Sequence, residues 1–287
     1  MASQNRYITL GGHRHRYVAT GSSGQTMLLL HGISSSLDFY EQVIPSLSRS
    51  FRVLAFDFLG FGLSDKPRKT DYSLELYASL IREFLEKTNS IGEPLYATGH
   101  SMGGKYLLAS GLLYPGTFRK LVLSNTDGFI NVPAWARGIS LPGVRQILKK
   151  VMTGEKMAEK MFTSAFYRTK NVDSRSFSKN LAAVRDREAF DTVMSLNRNL
   201  MKLDMNRTGL RKRLGELKIP VLIIWGDHDQ YFSPKIARSV NSEIPCSNLV
   251  IFPECGHAPM LEYPEKFSET VREFILSEHP YPETPCS

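Results

Sequence analysis

Ser101 lies in the run Gly99-His100-Ser101-Met102-Gly103-Gly104, with an apolar stretch before it and a helix-like stretch after it. Glycine serves where a chain turns tightly or another backbone comes close, because it has no Cβ. A serine held between glycines where a strand becomes a helix has the form of a nucleophile elbow. Such a turn lifts the hydroxyl off the strand end. The helix start behind it offers N–H groups and a positive dipole end to a developing oxyanion. A serine hydroxyl is a weak nucleophile at neutral pH, so it needs a base, and the base needs an orienting acid. Acid candidates follow two later apolar runs: Asp127 after 118–125, and Asp227 and Asp229 after 220–226. Among seven histidines, His257 alone directly follows the last apolar run, 248–256. His13 and His15 fall in a hairpin pattern and are expected to be solvated. His31 precedes Gly32, His100 adjoins the serine, His228 lies between two acids, and His279 lies in the terminal helix.

These residues need a scaffold. Residues 6–19 read as a hairpin around Gly11-Gly12. The runs 26–32, 51–56, 94–100, 118–125 and 220–226 read as buried strands, and 248–257 holds the last strand. Helical periodicity marks 73–88, 102–114 and 264–279. Continuous apolar strands alternating with helices predict an α/β fold, a mostly parallel central sheet with helices on both faces. The alternation stops over 128–213, which is helical in period and rich in charge. We expect residues 1–127 and 214–287 to form the core and 128–213 to be an inserted helical cap. The tail 280–287 is Pro-rich and is expected to fray. Strand C-termini are where open α/β sheets build their sites, and the candidate residues fall there.

With those elements in order, the chain resembles a serine hydrolase of the α/β-hydrolase superfamily, esterase- or lipase-like, over nearly its whole length. The resemblance rests on HGISSS (31–36), DFLGFGLSDKP (57–67), GHSMGG (99–104), WGDHD (225–229) and GHAPMLEYPEKF (256–267). It implies a catalytic Ser101, His257 and Asp229, with the acid three residues after Gly226, leaving Asp227 as a turn residue. It implies an oxyanion hole from the Ile33 and Met102 N–H groups, with Gly32 and His100 at the substrate. It implies acyl-enzyme chemistry with no cofactor and no metal. Related dehalogenases and epoxide hydrolases use an aspartate nucleophile, where this chain has Ser101. Relatives that cleave carbon–carbon bonds of ring-fission diketones usually carry HGxGPG, where this chain has HGISSS. Prolyl aminopeptidase relatives carry Trp where Met102 stands. Carbon–carbon hydrolysis, and a ligand-binding receptor that retains the triad, are the alternatives to ester hydrolysis.

Composition narrows the partners. The chain has 287 residues and a net charge of +8. Residues 128–213 hold 18 Lys and Arg against 7 Asp and Glu, so this segment carries +11 while the remainder carries 18 against 21, or −3. Such a segment suits an anionic substrate or a peripheral membrane contact, or is a solvated helical surface. No nucleic-acid recognition motif accompanies it. Its residues Met152, Met157, Met161, Met194, Met201 and Met205, with Phe162, Phe166, Tyr167 and Phe190, pack the segment and favour an apolar acyl pocket. No run of 18 apolar residues is present, and the N-terminus does not read as a secretory signal. Cys246, Cys255 and Cys286 have no disulfide or zinc spacing and are expected to be reduced in a cytoplasm. Nothing in the sequence sets the oligomeric state.

Overall fold

The computed structural model describes residues 4–21, 25–92, 95–130 and 132–277. Eight strands form one sheet: β1 (Arg6–Leu10), β2 (His13–Thr20), β3 (Thr26–Leu30), β4 (Arg52–Phe56), β5 (Leu95–His100), β6 (Lys120–Ser124), β7 (Val221–Gly226) and β8 (Ser247–Phe252). Their order is β1-β2-β4-β3-β5-β6-β7-β8. The β1–β2 and β2–β4 pairs are antiparallel, and every other pair is parallel. The helices of nine or more residues among the described residues are α1 (Leu74–Lys87), α2 (Met102–Leu113), α3 (Pro142–Met152), α4 (Glu155–Thr163), α5 (Ser174–Val184), α6 (Arg187–Arg198), α7 (Pro234–Glu243) and α8 (Pro264–Leu276).

The expected mostly parallel α/β sheet is present. Its strands are apolar throughout because both faces are covered. Alternate residues feed two cores. Leu28, Leu30, Leu54, Phe56, Leu121 and Trp225 enter one cluster with α1 and α2. Met27, Leu29, Val53, Val122 and Ile224 enter the other with α8. Each such buried side chain contributes about 1.5–3 kcal/mol. Helix α1 shows the local logic: the Ser73 hydroxyl caps it by accepting from the Leu76 N–H at 3.1 Å, and Leu74, Tyr77, Ala78, Ile81, Phe84 and Leu85 recur on its buried side.

Between β6 and β7 the regular structure of the described residues is wholly helical. Ion pairs tie this segment to the rest. Lys179 on α5 meets Asp38 and Glu41, both at 2.9 Å, Lys66 meets Asp186 at 3.3 Å, and Arg211 grips Glu243 at 2.7 Å.

Several expectations need correction. His15 is fully buried rather than solvated, because β2 is an inner strand between β1 and β4; its Nδ1 lies 3.0 Å from Asp57 O. The sequence reading assigned nothing to α7, although Ser233 caps it and Pro234 opens it. Strand β8 ends at Phe252, within the stretch expected to hold the last strand, and residues 253–257 leave the sheet to form the His257 loop. Cys246 is disulfide-bonded, so the expectation of reduced cysteines fails there; pairing follows proximity in space, which spacing along the chain does not encode. Cys255 is free and buried, and burial pushes its thiol up. The expected fraying of 280–287, together with His279 and Cys286, lies outside the described residues.

Candidate active site

The turn between β5 and α2 holds Ser101 at φ 51° and ψ −119°. A non-glycine residue at positive φ costs of order 1–3 kcal/mol and persists only when its surroundings enforce it. Here the Ser101 N–H donates to Ser124 O at 2.9 Å, and the Asp127 N–H donates to Ser101 O at 3.1 Å. The flanking glycines are required by contact. A Cβ on Gly103 would sit 2.3 Å from Leu30 O, and one on Gly99 2.6 Å from Gly103 O. Helix α2 can therefore start hard against β3. Its first N–H, that of Met102, has no intrahelical acceptor, as at any helix start.

Asp229 and His257 meet directly. His257 Nδ1 lies 2.8 Å from Asp229 Oδ2. Asn125 Nδ2 donates to the same oxygen at 2.8 Å. The Tyr231 and Phe232 N–H groups donate to Asp229 Oδ1 at 2.8 and 2.9 Å. Burial pushes the Asp229 carboxyl up, but hydrogen bonds from His257, Asn125 and Phe232 outweigh it and hold the carboxyl below its ordinary range. An ionised carboxylate only accepts, so Nδ1 of His257 carries a proton, and in the neutral ring Nε2 then presents a lone pair. The His257 N–H donates to Ala165 O at 2.6 Å. The loop that carries the base thus leans on the helical segment. No hydrogen bond joins the Ser101 hydroxyl to His257 among the described residues; such bonds are often long before substrate binds.

The rings pack around this pair. His100 Nε2 donates to His257 O at 2.8 Å, its ring stacks on Phe39 at 4.8 Å, and it meets the His257 ring edge-on at 4.8 Å. Burial, then the neighbouring His257, push the His100 pKa down to about 3. A Cβ on Gly32 would lie 3.0 Å from His100 Nδ1 and 3.2 Å from Ser101 Cβ. Gly32 and His100 therefore both adjoin the serine.

The loop 31–37 is set by two buried groups. His31 Nδ1 donates to Gly32 O at 2.7 Å while its Nε2 accepts the Phe58 N–H at 3.0 Å. Burial lowers the His31 pKa, which suits this neutral tautomer. In a trans peptide the C=O and the next N–H point opposite ways, so the Ile33 N–H faces away from the His31 ring. Asp57 fastens the far end: Oδ1 accepts the Leu37 N–H at 2.7 Å and Oδ2 accepts the Leu63 N–H at 2.7 Å. Arg16 neutralises this fully buried carboxylate at 2.7 Å.

Of the acids offered by the sequence, Asp229 is the one that meets His257. Asp127 pairs with Lys105 at 2.5 Å. Asp227 pairs with His228 at 2.6 Å and accepts the Cys255 N–H at 3.2 Å. Sequence reasoning missed Asn125, which follows β6, and gave no role to Asp57, though it opens a quoted motif. It also missed Glu262, whose Oε1 accepts the Gly256 N–H at 2.7 Å and whose Oε2 accepts the Tyr167 and Arg168 N–H groups at 3.0 and 3.1 Å. Glu262 binds the His257 loop to the helical segment. The apolar residues of that segment do not gather in one place: Phe162, Phe166, Met194 and Met205 are buried, whereas Met157, Tyr167 and Met201 are exposed.

A family model described as alpha/beta hydrolase fold matches residues 25–264. The chain is 25% identical over 266 residues to Lipase 1 of Psychrobacter immobilis, covering 92% of this chain and 81% of that one. It is 27% identical over 279 residues to the 2-hydroxy-6-oxo-6-(2'-aminophenyl)hexa-2,4-dienoic acid hydrolase of Metapseudomonas resinovorans, covering 94% and 90%. The structure of an esterase from Exiguobacterium antarcticum superposes with a TM-score of 0.80 at 23% identity, covering 96% of this chain and all (100%) of that one.

Proposed function

This chain belongs to the alpha/beta hydrolase fold family, and from that premise we propose that it hydrolyses carboxylic esters with an apolar acyl part through an acyl-serine intermediate. The observation that carries the reading is the 2.8 Å contact between His257 Nδ1 and Asp229 Oδ2. It leaves Nε2 as the free base. Ser101 Oγ attacks the ester carbonyl and its proton passes to His257 Nε2. Asp229 steadies the imidazolium. The Ile33 and Met102 N–H groups receive the oxyanion, each worth about 3 kcal/mol in the transition state. His257 then gives the proton to the departing alcohol. Water, deprotonated by the same base, releases the acid. Gly32 and His100 border the acyl group.

Residues 128–213 act as the cap in this reading. Its excess charge would meet an anionic surface. We assign the protein to the cytoplasm from sequence alone; the Cys246 disulfide argues the other way, because reducing compartments keep thiols free, and fractionation of the native protein decides.

The test is hydrolysis of p-nitrophenyl esters from acetyl to palmitoyl by the wild type and Ser101→Ala. Turnover that disappears in the variant supports the serine mechanism. A second reading, carbon–carbon hydrolysis of ring-fission diketones, draws on the similarity to the Metapseudomonas hydrolase. Diketone cleavage without ester turnover would favour it. Ligand binding with neither activity would favour a receptor.

A further inference from the structure

The surface farthest from the usual pattern of a folded chain is the stretch before and along α3. No residue of α3 is buried. Val144, Ile147 and Val151 recur at i, i+3 and i+7, so they form one stripe of a helix, and all three are exposed. The preceding 3-10 turn, Ala134–Ser140, and the residue after it expose Trp135, Ile139 and Leu141 as well. Trp135 is 77% exposed and Ile147 69%. A monomeric protein rarely leaves such a group of large apolar side chains together in water without use for it.

This stretch is a built platform. Asn197 Nδ2 on α6 donates to Ala136 O at 2.9 Å and to Ser140 Oγ at 2.7 Å. Lys149 reaches back to Asp191 on α6 at 2.5 Å. The inner side of α3 is thus anchored while the apolar stripe points out.

The charge along this stretch of chain has one sign. Residues 128–154 contain Arg137, Arg145, Lys149 and Lys150 and no Asp or Glu. Lys149 is committed to Asp191, and none of the other three pairs with a carboxylate among the described residues. A second copy of this chain fits poorly, since the segment carries +11 and would face its own charge. Nucleic acid would satisfy the cations but leave the aliphatic stripe in water. An anionic lipid surface satisfies both, with cations at the headgroups and Trp135, Leu141 and Ile147 at the acyl boundary. At 11 residues α3 spans about 16 Å, too short to cross a bilayer, so it would lie in the interface plane.

We propose that the 134–152 stretch is an interfacial docking face for anionic membranes, through Trp135, Leu141, Val144, Ile147 and Val151 with Arg137, Arg145 and Lys150 around them. The proposal extends the ester-hydrolase reading by naming the surface from which apolar acyl substrates would be drawn.

Trp225 is fully buried, so its emission should stay constant on docking and a change in emission reports on Trp135. Full-length protein is titrated with phosphatidylcholine vesicles with and without phosphatidylglycerol, following tryptophan emission and co-sedimentation. We expect a blue shift and pelleting with the anionic vesicles, weakened by salt. Ile147→Glu should lower partitioning by about tenfold or more, and Arg145→Glu with Lys150→Glu should weaken it and its salt dependence. Ser101→Ala should bind like the wild type, and Ile147→Glu should hydrolyse p-nitrophenyl acetate like the wild type. Vesicle binding without ester turnover leaves docking standing and defeats the esterase reading; ester turnover without vesicle binding does the reverse. The proposal is overturned if the wild type ignores anionic vesicles, if Ile147→Glu binds as well as the wild type, or if sedimentation shows a dimer that Ile147→Glu dissolves.

Discussion

Helices α2 and α3 are nearly equal in length and lie on either side of β6 in the chain, yet they meet opposite fates. Of the 12 residues of α2, ten are buried; of the 11 residues of α3, none is. Helix α2 is buried on nearly every side because the sheet lies under it and α1 beside it, where Tyr106 stacks on Tyr77 at 4.0 Å. Helix α3 has a neighbour on one side only, and its apolar stripe faces the other way. An apolar face is thus a demand for a partner. In α2 the rest of the chain meets that demand, and in α3 the chain leaves it unmet. In the proposed reading, the helix that is locked in place would carry the chemistry, and the helix that is open would carry the membrane contact.

The largest effect expected is at the start of α2. Ser101→Ala should reduce ester turnover by about 10⁴-fold or more, with the fold retained by circular dichroism. A comparable loss from Ile147→Glu on a soluble ester would break the division between the two helices. Next, Leu107→Ala, at a fully buried position of α2, should destabilise the protein by about 2–5 kcal/mol in urea unfolding. A third test uses pH at the strand end that feeds α2. His100, held neutral by burial with a pKa near 3, protonates in the unfolded chain near pH 6.5 but not in the folded one. The unfolded state then binds the extra proton, so stability falls as pH drops below about 6.5, by about 2 kcal/mol at pH 5. Thermal melts from pH 7.5 to 5 should show that decline, and His100→Gln should make it shallower, leaving the share of the buried His15 and His31, whose pKa values burial also lowers. The smallest effect is expected on α3: Ile147→Ala should shift stability by less than about 0.5 kcal/mol. A cost like that of Leu107→Ala would mean that the stripe is covered in the free protein.

Much of the site was legible because its signals are local. The glycines around Ser101 are demanded by contacts within a few residues or with the adjoining strand, and the apolar runs announce the strands that end beside the candidate residues. Asp229 and His257 were legible as residues after strands. Their partner Asn125 was not, because it lies 104 residues from Asp229 along the chain and an isolated Asn after a strand has many uses. Glu262 read as part of a terminal motif, with nothing in the sequence to say that it reaches Tyr167 and Arg168. His15 read as solvated because alternation in a hairpin does not reveal that another strand will pair on the far side.

The sequence by itself determined the order of strands and helices, the elbow at Ser101 and the basic excess of 128–213, since each depends on residue type and short-range spacing. The tertiary structure decided that Asn125 shares the Asp229 carboxylate with His257, that Asp57 and Arg16 fasten the loop beside Ile33, that Cys246 is paired, and that the stripe on α3 faces outward. Those outcomes depend on which distant segments come to lie together. The helical period of α3 specifies that an apolar face exists; only the packing of α6 against its other side determines that the face is left to the solvent.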